Sequence, residues 1–439
     1  MLIERTQSSY ELEQILLESE RLPNPVELKR VVTDLDIFEN IDKPYLTAEM
    51  VVADQTNLYE TSGIISGEKI TITLISSKDD IATPITKVFR VMNASIAYAS
   101  DESQLVIFEL IEECGFLSNL FNVNRNYSGK IGNILNKISK QYLEKEVDFE
   151  NNELQRVNVI VPNLDPIQTM KWLRNRATTS EGFPFYLHST LVGEKIFFRD
   201  LGTLLSESVI NPDQPFRQDK ASLDSPNVKI IINHKFSSFE NVFTQISKGI
   251  VGASYRYIDT TEENNKTFSF DIKKDLYDVL ISKGVMGEQD QPDFSPLYEV
   301  NGKSFNQTAS RNLTMVGGSN ARRNVTTDEY ELGYSEAKTV AGYKQQIIAK
   351  AMDNVLKRAS LTMIVPGINF IDGDKHLTIG NNIVVEFPKS TADRDRSISQ
   401  IDTRRSGNYM IMSARHMFKK ERYDISLGCV KLGNLKQND

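Results

Sequence analysis

The chain has 439 residues, a formal net charge of −8 and a sequence pI near 5.4, with 40% apolar and 25% charged residues. That balance describes an ordinary globular protein of roughly two to four domains; it excludes a disordered chain and a nucleic-acid binder that works through a broad basic surface. No apolar run approaches the roughly 20 residues that cross a bilayer as a helix. The opening MLIERTQSSYELEQ has early acids and no continuous apolar core, so it does not read as a secretory signal.

Residues 8–21 read as an amphipathic helix. Ser8 and Glu11 stand at the offset of a capping box, Leu12, Ile15 and Leu16 share a face, and Pro23 and Pro25 stop it. It is either a terminal helix packed on its own domain or an arm that docks on a neighbour. Residues 26–122 read as strands almost throughout. One lies around Ile37 and one at 46–52, with a break at Lys43-Pro44; a polar loop covers 53–63, and strands follow at 68–74, 88–92, 94–98 and 104–110. At 68–74, Ile70, Ile72 and Leu74 alternate with Lys69, Thr71 and Thr73, which assigns the first set to a core.

The period then changes. Ile131, Ile134, Leu135, Ile138 and Tyr142 recur at three and four, a helix over 129–142. A second helix starts at Asp165-Pro166, a capping acid before a first-turn proline, and carries Trp172 as a core residue. Strands at 183–188 and 195–199 form a hairpin around Val192-Gly193-Glu194. These elements make a small α+β unit, followed by a Ser-, Asp-, Asn- and Pro-rich linker at 205–226.

Strands return at 228–232, 253–258 and 267–272, with a short helix or bend at 239–249. Residues 281–327 show little periodicity and include GGSNARRN at 317–324, which reads as a mobile or partner-ordered loop. Residues 335–358 form the longest helix, with Glu336 near its start and Lys357 and Arg358 at its end, as the helix dipole favours. From Leu361 onward the pattern is strands again.

Chemistry is hard to find. The two cysteines, Cys114 and Cys429, read as buried thiols, with a disulfide as the alternative; His188, His234, His376 and His416 lack metal-ligand spacing. There is no GxSxG, P-loop, HExxH or CxxC. Glu112-Glu113 is an adjacent acid pair that reads as a solvated strand end and not as a hydrolase pair. Catalytic, cofactor-binding and metal residues are therefore none.

The stretch DIFENIDKPYLTAEMVVADQTNL…GIISGEKITITL resembles the opening of the central baseplate hub proteins of contractile-tailed (T-even-type) bacteriophages, and LTMIVPGINFIDGDKHLTIGNNIVVEFP…SGNYMIMSARHMFKKERYDISLGCVKL resembles their end. The letters carry the likeness at 31–74 and 361–432, and the order of elements extends it along the chain. Two departures are the arm at 1–25 and the long loop 389–406.

The resemblance implies an α+β, mainly β fold with two antiparallel barrels that imitate tail-tube subunits. The expected division is an N-terminal helical arm at 1–25, a first barrel at 26–122 and a peripheral α+β domain at 123–226. A second barrel takes 227–280 with 361–435, and a loop-rich insertion ending in the long helix takes 281–360. The implied function is a homotrimeric hub joining the hexameric tail tube to the trimeric central spike and to baseplate wedge proteins, with DNA only as cargo passing through its lumen. It would sit in the virion tail baseplate after assembly in the host cytoplasm, insert in no membrane, need no cofactor and be no enzyme. The alternatives are the hub of a related contractile injection system, a tail-borne cell-wall hydrolase or an adhesin. Arg322 and Arg323, with Arg394, Arg396, Arg404 and Arg405 in the 389–406 loop, are the candidate partner contacts; a self-neutralising surface loop is the other reading of 389–406, where Asp393, Asp395 and Asp402 balance the arginines.

Overall fold

A computed structural model of the chain describes residues 10–55, 58–76, 84–99, 104–154, 156–218, 229–236, 252–259, 264–271, 274–275, 278–282, 299–304, 312–317, 345, 348–349, 352, 361–372, 375–388, 401–402, 405–419 and 422–434. The expected short helix or bend at 239–249 lies outside them, as do most of the 335–358 helix and most of the 389–406 loop. Gln345, Ile348, Ala349 and Met352 are helical, with Ile348, Ala349 and Met352 buried.

The first β unit comprises β1 (Tyr10–Glu18), β2 (Val26–Glu27), β3 (Val32–Asn40), β4 (Thr47–Asp54), α1 (Leu58–Ser62), β5 (Lys69–Ser76), β6 (Ile85–Ala99), β7 (Gln104–Glu112) and α2 (Glu113–Ser118). The expected helix at 8–21 is corrected: β1 is a strand paired antiparallel with β5. Leu12 faces Leu74, Ile15 faces Ile72 and Leu17 faces Ile70, with a bulge between Leu12 and Gln14. The bulge skips Glu13 and stretches one apolar interval from two residues to three, so a strand imitates a helical period. A short helix, α1, also occupies part of the expected 53–63 loop, where Asp54 accepts a bond from Tyr59 N at 2.9 Å. The break expected at Asn93 is likewise only a bulge within β6, between Val91 and Asn93.

The α+β unit follows: β8 (Asn126–Lys130), α3 (Ile131–Tyr142), β9 (Val147–Phe149), β10 (Arg156–Ile160), α4 (Pro166–Arg174), β11 (Phe185–His188), β12 (Ile196–Asp200) and α5 (Leu201–Ser206). Asp165 caps α4 by accepting from Gln168 N at 2.8 Å. Trp172 lies at the edge of this core and not within it, half-buried under the Arg176 guanidinium, 3.8 Å from the ring centroid. β11 and β12 are the expected hairpin, and β9 adds to it in parallel.

The remaining strands are β13 (Phe216–Arg217), β14 (Lys229–Ile230), β15 (Asn233–Phe236), β16 (Gly252–Asp259), β17 (Asn264–Asp271), β18 (Glu299–Val300), β19 (Lys303–Ser304), β20 (Asn312–Gly317), β21 (Leu361–Pro366), β22 (Ile371–Asp372), β23 (Lys375–His376), β24 (Asn382–Glu386), β25 (Gly407–Lys419) and β26 (Arg422–Asn434). Here the expected boundary at 280 needs correction. β16 pairs with β17 and, in parallel, with β20, so these strands make a separate sheet that crosses from the expected second barrel into the expected insertion. The parallel pairing joins segments more than fifty residues apart, which local periodicity does not reveal.

One 14-stranded sheet runs β14-β13-β24-β25-β3-β4-β7-β6-β5-β1-β2, with β15, β21 and β26 branching from β25. β25 is the shared strand. Its first residues pair with β24 and residues 413–418 pair with β3, while β26 follows its other edge throughout. A bulge between Ile411 and Ser413 marks the change of partner. Among the described residues three apolar cores stand out: one under β1–β7, one in the α+β unit, and one around β21 and β24–β26.

Candidate assembly surface and buried charge seam

The sheet β3-β4-β7-β6 sends alternate residues to opposite faces. Leu35, Ile37, Met50, Val52, Val106, Phe108 and Leu110 enter the first core. On the other face Asp36 stands opposite Glu49, Glu49 opposite Glu109, and Glu109 opposite Asn93. Like charges directly opposed on a sheet are destabilising. Arg415 offsets this at one end through an ion pair with Asp36, and Lys419 holds Asp34 at 2.9 Å; the latter pair keeps Asp34 below the usual carboxylate range. Glu49 and Glu109 are exposed. This face is acidic, and a phosphate backbone would find little to bind on it.

β6 outruns its neighbour. β5 pairs with residues 85–90 and the Gly67–Glu68 backbone bonds Val91, so among the described strands β6 beyond Val91 is paired on the β7 side alone. Met92 and Ile96 are 42% exposed there and Tyr98 60%. A half-open strand edge with apolar side chains is a surface suited to contact.

Of the candidate arginines, only Arg405 is among the described residues; Arg322, Arg323, Arg394, Arg396 and Arg404 lie outside them. The Arg405 guanidinium is 3.7 Å from Asp402 and lies over the Phe236 ring at 5.3 Å, while its carbonyl accepts from the Tyr409 hydroxyl at 2.6 Å. It is exposed but engaged within its own chain.

Burial disfavours the thiolate of both cysteines. Cys114 and Cys429 are buried and not joined in a disulfide; burial pushes the Cys114 thiol up to about 12, with Glu112 adding to the shift, and burial raises Cys429 as well. Among the described residues no group of three or more His, Cys, Asp or Glu could hold a metal. Glu112 corrects an expectation: it is buried, accepts from Leu46 N at 2.9 Å and pairs with Lys145, while its neighbour Glu113 pairs with Arg90. It cannot be a solvated strand end.

That pair belongs to a set joining the first β unit to the α+β unit. Asp42, in the β3–β4 turn, pairs with Arg174 at the end of α4. Lys87 on β6 donates to the Gly193 carbonyl and lies 3.9 Å from Glu194. Glu39 on β3 accepts from Leu191 N. Ser189 donates from its backbone to Lys43 O at 3.2 Å and from its hydroxyl to Pro44 O at 2.9 Å. The tip of the β11–β12 hairpin is thus plugged into the first β unit, and Leu191 and Val192 join its core.

Glu39 also meets the strands beyond. His416 Nε2 on β25 is 3.3 Å from Glu39 Oε1, and His416 Nδ1 is 2.7 Å from the Tyr423 hydroxyl on β26. Burial raises the Glu39 carboxyl, but His416, Thr378 and the Leu191 amide together outweigh it and hold the group below the usual carboxylate range. His188 on β11 stacks on Phe197, which in turn faces His376; burial, aided by His376, drives His188 down to about 3. Sequence reading missed Glu39, Lys87 and Glu112, although the signal was there. Counting by twos from Leu35, Ile85 or Val106 places each on the apolar face of its strand.

Two solved structures are similar along nearly the whole chain. The tail protein from Neisseria meningitidis MC58 has a TM-score of 0.51 and 12% identity, covering 95% of this chain and 95% of that one. The 43 kDa tail protein of prophage MuSo2 from Shewanella oneidensis has a TM-score of 0.50 and 10% identity, covering 96% and 98%. Among curated proteins, a 106-residue stretch is 30% identical to the DNA-directed RNA polymerase subunit beta' of Helicosporidium sp. subsp. Simulium jonesii. It covers 23% of this chain, and the match spans only 13% of that protein. No protein-family model matches. By structure, the chain has the mainly β, α+β fold of the two tail proteins.

Proposed function

We propose that this chain is the structural hub of a contractile phage tail: a homotrimeric adaptor between a hexameric tail tube and a trimeric central spike, built into the virion baseplate with its wedge proteins. The observation that carries the reading is the likeness in fold to a tail protein over 95% of both chains. The β units around the first and third cores are then the two tube-like barrels, so three chains present six similar rims to a sixfold tube. The second barrel is built on β13–β15, β21 and β24–β26, and the α+β unit breaks the sixfold repeat. The acidic face of β3-β4-β7-β6 suits a wall past which DNA slides without binding. The half-open β6 edge and the arginine segments 322–323 and 394–405 meet partners. The chain performs no chemistry.

Reconstitution tests the reading. The chain, mixed with tube and spike proteins from the same gene neighbourhood, should form a particle holding three copies by light scattering. A monomer at every concentration, with no partner capture, overturns it. Cell-wall turbidity clearing by the pure protein would replace it with a hydrolase, and binding of the isolated chain to cells with an adhesin.

A further inference from the structure

The seam between the first β unit and the α+β unit is crossed by charges as well as by α2, whose Cys114 lies in the α+β core and whose Ser118 hydroxyl donates to Asp165 at 2.8 Å. Asp42–Arg174, Glu112–Lys145, Lys87 with Gly193 O and Glu194, and Glu39 with Leu191 N all cross it. Each of Glu39, Lys87, Glu112 and Arg174 is buried. Buried ion pairs add little net stability over apolar packing of the same volume, yet losing one partner leaves a costly unpaired charge. Contacts between units that are polar in this way are the ones that move. The apolar share of the hairpin plug is two side chains, Leu191 and Val192, whereas the cores on either side are continuous.

We propose that this seam is an acid-released joint: the tip of the β11–β12 hairpin undocks from β3 and β6 as a unit while the cores on both sides stay folded. Glu39 is the keystone because it is reached from three directions: by the hairpin tip through Leu191 N, by β25 through His416, and by Thr378. The other titratable groups around it are Lys87 on β6, Tyr423 on β26, His188 on β11 and His376 on β23, with Arg199 on β12 beside the two histidines.

The direction of the pH effect follows from the two groups with the clearest roles. Glu39 is held ionised, so its contribution is present above the ordinary carboxylate range and is lost as the pH falls through it. His188 is held neutral down to about 3 when closed but titrates near 6.5 when exposed, so acid favours the open form from 6.5 downward. Arg199 and His376 oppose the charging of His188 in the closed form, whereas Glu39 favours it. Burial lowers Lys87 from the usual lysine range, and Glu112 opposes that shift.

Hydrogen exchange read by mass spectrometry on the full chain, at pH 7.5 and pH 5.0 and corrected for intrinsic rate, tests the joint. Protection of amides 186–199 should fall about 30-fold, the ratio by which protonation of an exposed His188 repopulates the open form. The α3 and β4 amides should not change. His188→Phe, which keeps the stack on Phe197, should remove most of the pH dependence; Glu39→Gln should lower protection of the same peptide already at pH 7.5. Two results overturn the proposal in the wild-type chain alone: equal protection of 186–199 at both pH values, or loss of protection in α3 and β4 along with the hairpin.

Discussion

Ile72→Ala tests the face assignment of β5, on which the reading of the first core depends. Ile72 is 1% exposed and stands between Ile15 on β1 and Lys87 on β6. The substitution removes three carbons, about 2.4 kcal/mol at ~0.8 kcal/mol each, and the cavity term brings the cost to about 3–4 kcal/mol. Thr73→Ala is the control. Thr73 is half-buried on the other face, and its hydroxyl is 3.4 Å from that of Thr86, an exposed contact, so its loss should cost under about 0.5 kcal/mol. Ile72→Asp would be a poorer probe, because Lys87 is directly opposite and could partner the new carboxylate. Urea unfolding followed by intrinsic fluorescence and circular dichroism reads both variants as midpoint shifts at constant slope. Equal shifts for Ile72→Ala and Thr73→Ala would refute the assignment and place the core on the wrong side of the strand.

Gly367→Ala should destabilise by about 1–3 kcal/mol, because a Cβ there would lie 2.3 Å from the Tyr423 ring, itself stacked on Phe418 at 4.5 Å. Gly428→Ala meets only the Ser413 hydroxyl at 2.4 Å, so a Ser413→Ala background should relieve most of its cost in a thermal melt; no relief would mean that backbone and not the hydroxyl is in the way. Glu109→Gln should stabilise by a few tenths of a kcal/mol at low salt, by removing one of two like charges set opposite each other, and the gain should shrink as salt is added. A loss of stability at low salt would show that the acid row has compensating partners. Iodoacetamide at neutral pH should leave Cys114 and Cys429 unmodified in the native chain and alkylate both in denaturant, since burial raises both thiols; native labelling read by intact mass would contradict their packing.

Much of the strand pattern could be read from the residues, because period two survives wherever one face is buried: Ile70, Ile72 and Leu74 are in the first core, as their alternation requires. The start of α4 was equally legible, since an Asp-Pro pair caps by local chemistry alone. What failed did so for identifiable reasons. At β1 a single bulged residue, Glu13, turned a spacing of two into three. At β16 and β20 the partner lies far along the chain, and nothing local marks a parallel pairing. Of the six chosen arginines, five lie outside the described residues, and the sixth, Arg405, is tied to Asp402 and Phe236 within its own chain. The buried charges were overlooked because a charged residue was taken to face water, even where the strand period placed it inward.

Those inward charges and the shared strand divide the work of holding the chain together. The first and third cores are joined by continuous backbone pairing along β25, in which Ser413–Phe418 bond to β3 while Gly407–Met410 bond to β24. Separating them would break a ladder and expose main-chain groups, so they should unfold and turn as one piece. Among the described residues the α+β unit has no such ladder to the first β unit: its strands pair among themselves, and side-chain charges, a hairpin tip and the α2 contacts of Cys114 and Ser118 cross between the two. On the proposed reading, in which the chain presents two similar rims to a tube, those rims must be fixed relative to each other. The end of α5 is tied to the third core, where Asn382 donates to Leu204 O at 3.1 Å and to Glu207 O at 2.9 Å, so the part left to shift is the hairpin tip, and hydrogen-bonded sheet on one side and titratable contacts on the other follow that division.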